Sequence, residues 1–489
     1  MNDFYVRRLK YRFCALHLPM IDLLIKNGTV VGPGYVAKMD VAIDDGRILS
    51  ISAVGSETNA ESTINADGQI VIPGGIDPHT HIELEFPGGE RSPEDWGVAS
   101  RAAAIGGTTM VSDFAFQEKG KPLMDAVRKQ FERAKKMSAI DYSTKPIISD
   151  FSDLQKVLQY MKEVVDYGLP GFKTFMTYRK QGWYANDWDV FSVLRRSHEL
   201  GCFMSLHCEN GPIEDGLTDE LIGQGKTQAI YHAHAHPSML ENMSIQSAMI
   251  MAEATGANTY LVHVSTKEGP WIADDYRRRG VKVTVETCAH YLTKTEQSYE
   301  DPKMGIYPRV KPPLRKKEDV EAMWMHIFQG RVQTIGSDHA VFTKNQKERN
   351  AARWIDVPTG FPGVEVRLPM MYSEGVVKRK LSLTRFVELV STNPAKLLGI
   401  YPRKGVLMAG SDADVVIIDP KRKHSLDADK LHYGVDLSIY EGMQTNGWPA
   451  TTILGGKVIT SGDEYLGKPG DGKPIKSGPL DWPWIGQPA

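Results

Sequence analysis

This chain of 489 residues has few cysteines, lacks long apolar runs and carries little net charge. Its four cysteines include no Cys-x-x-Cys pair, which argues against a disulfide framework and favours reduced thiols in a cytoplasm. No apolar run reaches the roughly 18 residues that a transmembrane helix needs. The formal net charge is only −2, so neither nucleic acid nor a membrane surface is an expected partner. The sequence therefore predicts a soluble, cytoplasmic globular protein.

Short alternating strand patterns occupy both ends of the chain, whereas the middle alternates strands with helices. Hairpin signals such as Asn27-Gly28 and Asp45-Gly46 mark the first end. We therefore expect an α/β protein, a (β/α)8 TIM-like barrel with a small β-sandwich formed by the N- and C-terminal segments. The predicted divisions are an N-terminal extension (1–19), the N-terminal segment of the sandwich (20–73), the barrel (74–405), the C-terminal segment of the sandwich (406–461) and an extended C-terminal tail (462–489). The Gly- and Pro-rich tail is expected to lie on a neighbouring subunit.

Eight candidate strands can be counted in the middle segment. They are IVIPGGIDPHTH, TTMVSDF, TKPIISD, GFKTFMTY, CFMSLHCE, TYLVHVST, VKVTVETCAHYL and VQTIGSDHA. Strands that alternate with helical stretches are typical of parallel βα units, and eight such units complete a barrel. A barrel takes about 250 residues, so a chain of this length needs a second domain or large insertions.

Residues with metal-ligand chemistry stand at the carboxyl ends of five of these strands. They are His79 and His81 on the first strand, Lys173 on the fourth, His207 on the fifth, His263 on the sixth and Asp338 on the eighth. Because (β/α)8 barrels carry their active sites at this end, the six side chains are expected to meet at one rim. A single histidine is usually a packed or surface residue, but this array predicts a metal site.

Lys173 is the unusual member of this set, because an ammonium group repels metal ions. Neutral imidazole suits zinc, and also nickel, iron or cobalt, while Asp338 can both ligate a metal and relay a proton. Burial beside cations lowers a lysine pKa, and the neutral amine can react with carbon dioxide to give a carbamate that bridges two metals. The alternative for Lys173 is a buried ion pair. His232, His234 and His236 imitate a metal tract, but their place in a loop favours a lid or surface role.

Seven motifs connect the chain with a known family: PGGIDPHTH, GFKTFMTY, LHCENG, LVHVST, ETCAHYL, KPPLR and GSDHAVF. On these motifs it resembles the cyclic amidases of the amidohydrolase superfamily, and among them the hydantoinases and dihydropyrimidinases most. The likeness continues through STNPAKLLGIYPRKGVLMAGSDADVVIIDP and VDLSIYEGM, so it extends from Met20 to about residue 460. Together the motifs are specific for the family and much less specific for the substrate.

The resemblance implies a binuclear zinc site and a mechanism. It implies that His79 and His81 bind one zinc ion, that His207 and His263 bind the other, that N6-carboxylated Lys173 bridges both, and that Asp338 completes the coordination of the first zinc. Two metals that share a hydroxide bring its pKa towards neutrality and supply a nucleophile for the ring amide. The metals and the Tyr178 hydroxyl stabilise the oxyanion, at about 3 kcal/mol per well-placed donor. Asp338 acts as base and then acid, and the ring opens to an N-carbamoyl amino acid.

The substrate pocket is where the sequence departs from its relatives. They usually carry Ser before Pro-Pro-Leu-Arg, where its backbone holds the ring amide, but here the residue is Lys311. Lys311 either binds a carboxylate on the substrate or points to solvent. Thr359 aligns with a second residue that contacts the ring. Phe86, Phe175 and Trp183 are expected to form an apolar wall, although aromatic residues also serve ordinary packing.

The expected partners are a small cyclic amide and further copies of the chain, since the resemblance implies a homotetramer or a homodimer. One alternative is another ring amidase on the same scaffold, namely an allantoinase, a dihydroorotase or an imidase. The positive charge of Lys311 is compatible with a substrate whose ring carries a negative charge. A remote alternative is a non-catalytic dihydropyrimidinase-like scaffold protein. Such proteins lack the metal ligands, whereas all six positions are filled here.

Overall fold

The computed structural model describes residues 20–56, 59–85, 91–477 and 480. The predicted N-terminal extension and Phe86 lie outside the described residues. Within the described ranges, eight parallel strands form a barrel, and strands from both ends of the chain join in a second sheet. This architecture confirms the predicted fold class.

The strands follow the predicted order along the chain. The N-terminal strands are β1 (Ile21–Gly32), β2 (Tyr35–Asp44), β3 (Arg47–Ala53), β4 (Ala60–Asn65) and β5 (Ile70–Pro73). The barrel strands are β6 (Gly75–Thr80), β7 (Thr108–Phe116), β8 (Asp141–Ile147), β9 (Gly171–Phe175), β10 (Phe203–His207), β11 (Asn258–Leu261), β12 (Val283–Cys288) and β13 (Thr334–Gly336). The C-terminal strands are β14 (Val415–Ser425), β15 (Gln444–Leu454), β16 (Lys457–Ser461) and β17 (Glu464–Tyr465).

Helices separate the barrel strands. The α-helices are α1 (Trp96–Ile105), α2 (Leu123–Met137), α3 (Leu154–Asp166), α4 (Asp187–Leu200), α5 (Gly211–Gly223), α6 (Tyr231–Ala235), α7 (Ser238–Thr255), α8 (Gly269–Arg278), α9 (Lys317–Phe328), α10 (Lys344–Glu348), α11 (Arg367–Met370), α12 (Leu383–Val387) and α13 (Asn393–Leu397). Short 3₁₀ segments are Ala289–Leu292, Glu296–Tyr299, Trp354–Asp356 and Ala428–Lys430, and π-helical segments are Met371–Lys378 and Glu388–Thr392. None of the helices in the described ranges is long and apolar enough to cross a membrane.

The helices form because one face of each is apolar and packs on the barrel. In α2 the buried residues Leu123, Val127, Phe131 and Ala134 recur every three or four positions, which places them on one side of an α-helix. In α4 the side chain of Asn186 caps the first free backbone amides. The barrel strands themselves are buried on both faces, as expected for a parallel sheet covered by helices.

The barrel closes where β13 meets β6. Each strand from β6 to β13 pairs in parallel with the next. At the seam, the backbone amide of Asp338 donates to the carbonyl of His79 at 3.0 Å. Thr80 and His339 form a parallel bridge just beyond the strand ends. The first and last strands therefore come together at the rim that carries the predicted ligands.

The first predicted strand, IVIPGGIDPHTH, is in fact two strands. β5 ends at Pro73 and pairs with β1 and β14 of the terminal sheet, whereas β6 begins at Gly75 and pairs with β7 in the barrel. At Gly74, between them, a Cβ atom would lie 2.1 Å from Oγ1 of Thr109, so only glycine fits there. The prediction of one strand is wrong because the apolar pattern continues without a break from one sheet into the other.

The terminal sheet has nine strands and a core of its own. Its order is β17-β16-β15-β14-β5-β1-β2-β3, and β4 pairs with β1 beside β5. The core combines Leu23, Val41 and Val71 from the N-terminal strands with Val415 and Ile453 from the C-terminal strands. Neither end of the chain completes this core alone, so the sheet holds the two ends together.

The described residues of the C-terminal tail pack on the barrel of their own chain. The backbone of Tyr142 in β8 donates to the carbonyl of Lys473 at 3.0 Å and accepts from the amide of Ile475 at 2.7 Å. Further on, the amide of Ser477 donates to the carbonyl of Gly168 at 3.0 Å. These contacts satisfy backbone groups at the end of the barrel opposite the ligand rim. The expectation that the tail lies on a neighbouring subunit stays a prediction.

One buried lysine links the barrel, the terminal sheet and the tail. The Nζ atom of Lys404 lies 2.6 Å from Asp141 at the start of β8, 2.5 Å from Asp414 just before β14, and 3.2 Å from Asp412. Asp141 also accepts a hydrogen bond from the backbone amide of Lys473 at 2.8 Å. The single ammonium therefore compensates three carboxylates that come from both sheets.

We predict that Lys404→Met lowers the free energy of unfolding by about 3–5 kcal/mol, because the substitution leaves buried carboxylates without a countercharge. The expected observation is a lower urea midpoint of unfolding. Lys162→Met is the matched control, since Lys162 forms an exposed pair with Asp166 and its loss is expected to change little. Equal midpoints for the two variants would contradict this role of Lys404.

Candidate metal centre

The structure brings the six predicted metal ligands together at the carboxyl ends of the barrel strands. They are His79 at the end of β6, His81 just after it, Lys173 in β9, His207 at the end of β10, His263 after β11 and Asp338 after β13. All but His79 line one cavity of about 60 Å³, and His79 lies fully buried behind it. The strands deliver each side chain separately, as barrel enzymes deliver their active-site groups.

His79, His81 and Asp338 have the spacing of a metal-binding group. Oδ1 of Asp338 lies 3.1 Å from Nε2 of His79 and 3.3 Å from Nε2 of His81. Nε2 of His79 is buried and has no hydrogen-bond partner among the described residues. Ligand atoms bound tetrahedrally at about 2.0–2.2 Å from zinc are about 3.3–3.6 Å apart. The three side chains therefore offer ligand atoms close enough together to hold a divalent metal ion.

His207 and His263 form the other side of the cavity. Their ring centroids are 4.5 Å apart, and His263 lies 5.3 Å from the ring of His79. Burial lowers the pKa of His207 and of His81 to about 4 and holds the pKa of His263 well below its usual value, so these imidazoles are neutral at pH 7. Neutral imidazole is the form that binds metal ions.

Lys173 is buried between aromatic rings. Its Nζ atom lies 5.2 Å from the ring centroid of Phe114 and 5.6 Å from that of Phe175. Within the ranges that the structure describes, Nζ has no ion pair within 4.0 Å. Burial lowers the pKa of Lys173 to about 8, although nearby carboxylates oppose the shift. Among the described residues, Lys173 therefore does not form the buried ion pair that was the alternative.

Glu286, which the sequence reasoning missed, supports two of the histidines. Its Oε1 atom lies 2.6 Å from Nδ1 of His79 and accepts the backbone amide of His263 at 2.9 Å, while the Tyr260 hydroxyl donates to its other oxygen. Burial by itself lowers the pKa of His79, but Glu286 and Asp338 outweigh it and raise that pKa. The position of His79 between two carboxylates therefore favours a positive charge, which a proton or a metal ion can supply.

Glu209, also missed, links His207 to a neighbouring cluster. One of its oxygens lies 2.7 Å from Nε2 of His207 and the other lies 2.9 Å from Nδ1 of His236. This contact leaves Nδ1 of His207 for the cavity. His232 and His236 are buried, and His232 lies in the short helix α6. The expected surface role is wrong for both, because His236 is buried against Glu209 and His232 is buried with its Nε2 atom 2.7 Å from the carbonyl of Val310.

Lys311 lies in the wall of the cavity and does not point to solvent. Its Nζ atom is 2.5 Å from Oε1 of Glu214, donates to the Thr177 hydroxyl at 3.1 Å, and sits 4.2 Å from the ring centroid of Tyr178. Only 8% of the residue is exposed. The solvent alternative for Lys311 is therefore wrong, and its charge is already balanced by a carboxylate that the sequence did not point to.

Among the described residues, the predicted pocket side chains Phe175, Tyr178 and Trp183 line the cavity. Phe175 lies 5.1 Å from Tyr178 and 6.0 Å from Trp183, centroid to centroid, and Tyr178 lies 5.4 Å from the ring of His207. Thr359 also lines the cavity. Burial raises the pKa of the Tyr178 hydroxyl well above its usual value, so it stays protonated and able to donate.

We predict that Glu286→Gln weakens metal binding by about 10- to 100-fold, because the neutral amide no longer orients His79 and favours a positive charge there less. The measurement is metal content by mass spectrometry after dialysis against a graded chelator series. Glu253→Gln, at an exposed pair with Arg279, is the control and should keep the wild-type profile. Wild-type retention by Glu286→Gln would show that the carboxylate does not support the metal site.

The comparisons with known proteins cover nearly the whole chain. Residues 70–459 match the model of the amidohydrolase family. The chain is 39% identical to a D-hydantoinase of Ralstonia pickettii over 459 residues, 93% of this chain and 99% of that protein. It is 37% identical to a D-hydantoinase of Geobacillus stearothermophilus over 456 residues, 93% of this chain and 96% of that protein.

Among solved structures, a dihydropyrimidinase from Brevibacillus agri superposes with a TM-score of 0.90 at 35% identity, covering 94% of this chain and 99% of that one. The chain belongs to the amidohydrolase family and, within it, to the group of hydantoinases and dihydropyrimidinases.

Proposed function

We propose that this protein hydrolyses a ring amide bond of a hydantoin or a 5,6-dihydropyrimidine and releases an N-carbamoyl amino acid. The observation that carries the proposal is the clustering of His79, His81 and Asp338 beside a cavity that is also lined by a buried lysine, Lys173. Family membership supports the same class of reaction, since the matched relatives are named for hydantoins and dihydropyrimidines.

We propose two zinc ions as the resident metals. His79, His81 and Asp338 would hold one, and His207 and His263 would hold the other. Metal ions bound there supply Lewis-acid polarisation of the substrate carbonyl and of the attacking water. Imidazole and carboxylate ligands suit zinc, and other divalent metals use the same donors.

Lys173 is proposed to become a carbamate through its neutral amine. The amine nitrogen adds to carbon dioxide, a C–N bond forms, and one proton leaves to solvent. The product carries a negative charge on two oxygens in place of the ammonium and would bridge the two metals. The lowered pKa of about 8, which burial causes, keeps part of the lysine as free amine near neutral pH.

Asp338 is proposed to carry both proton transfers, and Tyr178 is proposed to supply a hydrogen bond. Asp338 is proposed to take a proton from the attacking water at Oδ2, because Oδ1 faces His79 and His81. The protonated Tyr178 hydroxyl would donate to the carbonyl oxygen as charge develops on it. Asp338 then gives its proton to the departing ring nitrogen, the C–N bond breaks, and the carboxyl end forms.

Binding of the ring is proposed to rest on Phe175, Lys311 and Thr359 around it. The backbone at Lys311 would hold the ring amide whatever its side chain does, and that side chain is occupied by Glu214. Phe86 stays a prediction as part of the apolar wall. Because these walls exclude water, each polar contact to the substrate becomes stronger.

We also propose a cytoplasmic homo-oligomer, a tetramer or a dimer. Cys202, Cys208 and Cys288 are buried free thiols, which suits a reducing compartment. Met243 on α7 and Trp271 on α8 expose apolar surface that a second copy can cover. Light scattering at several concentrations tests the assembly, and a mass equal to one chain at all of them would refute it.

The zinc-loaded protein should open dihydrouracil or hydantoins. A matched panel would contain dihydrouracil, hydantoin, both enantiomers of 5-substituted hydantoins, allantoin, dihydroorotate and succinimide. Turnover of the first three classes, measured by loss of ring absorbance and mass of the product, supports the proposal. Turnover of only allantoin, dihydroorotate or succinimide would transfer the protein to another branch of ring amidases, and no turnover of any member would refute the activity.

Lys173→Ala is expected to abolish turnover and to remove metal from one site, because no bridging carboxylate forms. Small carboxylic acids should restore part of the activity by occupying the vacated space. Lys162→Ala, on the surface of α3, is the control and should match the wild type. Full metal content and full turnover in Lys173→Ala would exclude the carbamate.

A further inference from the structure

A second cavity of about 280 Å³ adjoins the candidate metal centre. It shares four lining residues with the first cavity: Tyr178, Trp183, Lys311 and Thr359. A group attached to a ring in the first cavity can therefore extend past Tyr178 into the second. The outer walls are partly apolar, with Ile355, Val357 and Pro358 among the lining residues.

Charged side chains around this second cavity are paired, with one exception. Four ion pairs account for most of them: Lys311–Glu214 at 2.5 Å, Arg179–Asp215 at 3.5 Å, Arg353–Asp356 at 2.6 Å, and Lys180–Asp219. His236, which also lines the cavity, contacts Glu209. Among the described residues, these pairs leave Arg309 as the cation of the lining without a carboxylate.

Arg309 is held in place but not neutralised. Within the described ranges it has no ion pair within 4.0 Å, and its Nε–H is buried without an acceptor. Its Nη1 donates to the carbonyl of Val357, and its guanidinium carbon lies 5.7 Å from the ring centroid of Trp354. Burial lowers the pKa of Arg309 to about 10, so it remains a cation at neutral pH. A partly buried cation without a countercharge is unfavourable unless an anion binds beside it.

We infer that the second cavity binds the anionic end of a ring substituent, and that Arg309 selects substrates with a carboxylate there. This inference rests on the proposed ring hydrolysis and specifies its substrate class. A short methylene chain would pass the apolar walls, and the planar guanidinium would receive the carboxylate through paired hydrogen bonds. Lys311 adds little to this attraction, because Glu214 already balances it.

A neutral aromatic substituent is the competing occupant, since Trp183 and Trp354 also line the cavity. It would leave the guanidinium of Arg309 unpaired and more deeply desolvated than in the free protein, which costs free energy. The other charged groups described in the lining already have partners, so Arg309 is the group that a ligand must satisfy. This favours a carboxylate over a neutral aromatic substituent.

The test compares 5-(2-carboxyethyl)hydantoin with its neutral isostere, 5-(2-carbamoylethyl)hydantoin, on the zinc-loaded full chain. The wild type should hydrolyse the acid with the higher kcat/KM. Arg309→Gln should lower the acid-to-amide ratio by about 10-fold or more, the size expected for a lost charge-assisted hydrogen bond. Because both substrates are measured on one preparation, the ratio is independent of the fraction of folded enzyme. Arg309→Lys, which keeps the charge without the fork, should give an intermediate ratio.

Arg128→Gln, at an exposed pair on α2, is the matched control and should keep the wild-type ratio. A wild-type preference for the amide, or an unchanged ratio in Arg309→Gln, would overturn the inference while leaving the proposed ring hydrolysis intact. Hydrolysis of neither hydantoin, together with no turnover of dihydrouracil, would overturn both. The two failures are therefore distinguishable.

Discussion

The candidate site depends on the seam that closes the barrel. The backbone amide of Asp338 donates to the carbonyl of His79, and the amide of His81 donates to the carbonyl of His339 at 2.8 Å. Asp77 reinforces the seam, since its Oδ1 atom accepts from the amide of Ser337 at 3.2 Å. These hydrogen bonds join segments about 260 positions apart in the chain and set two imidazoles beside one carboxylate. Anything that opened the seam would separate these ligands.

The backbone at this rim is strained in the places where chemistry is expected. Tyr178, His263 and Asp338 have positive φ values of 63°, 41° and 50°, a region that favours glycine. Such conformations cost of order 1–3 kcal/mol each and persist only where the surroundings fix them. Glu286 contributes to that fixing by accepting the backbone amide of His263. The rest of the barrel thus holds side chains in orientations that an isolated strand end would not adopt.

The sequence was sufficient for the fold and for naming six side chains that the structure brings together at one rim, because both follow from local patterns. Eight apolar strands separated by helices indicate a barrel, and polar residues at strand ends indicate its rim. Glu209 follows His207 by two positions, a spacing that puts both on the same side of a strand, so this support was within reach of the sequence. The roles of Glu286 and Glu214 could not be predicted from the sequence, because each contacts a partner that is distant in the chain and comes close only when the barrel folds. The contact of Lys311 with Glu214 joins residues 97 positions apart.

The buried lysines of the barrel show why Lys173 differs chemically from the others. Lys145 donates to the carbonyls of Pro78 and Ser112 at 2.6 and 3.0 Å, Lys311 pairs with one carboxylate, and Lys404 pairs with three. The carboxylate partners of Lys311 and Lys404 make a buried charge tolerable, whereas Lys145 has neutral acceptors and burial lowers its pKa to about 7. Lys173 is enclosed by aromatic rings and imidazoles, with no such partner within the described ranges. Loss of its proton relieves that cost, and the carboxylation proposed for Lys173 would replace a buried cation with an anion. The same burial that would destabilise an ordinary lysine therefore favours the neutral amine that the proposed carboxylation of Lys173 requires.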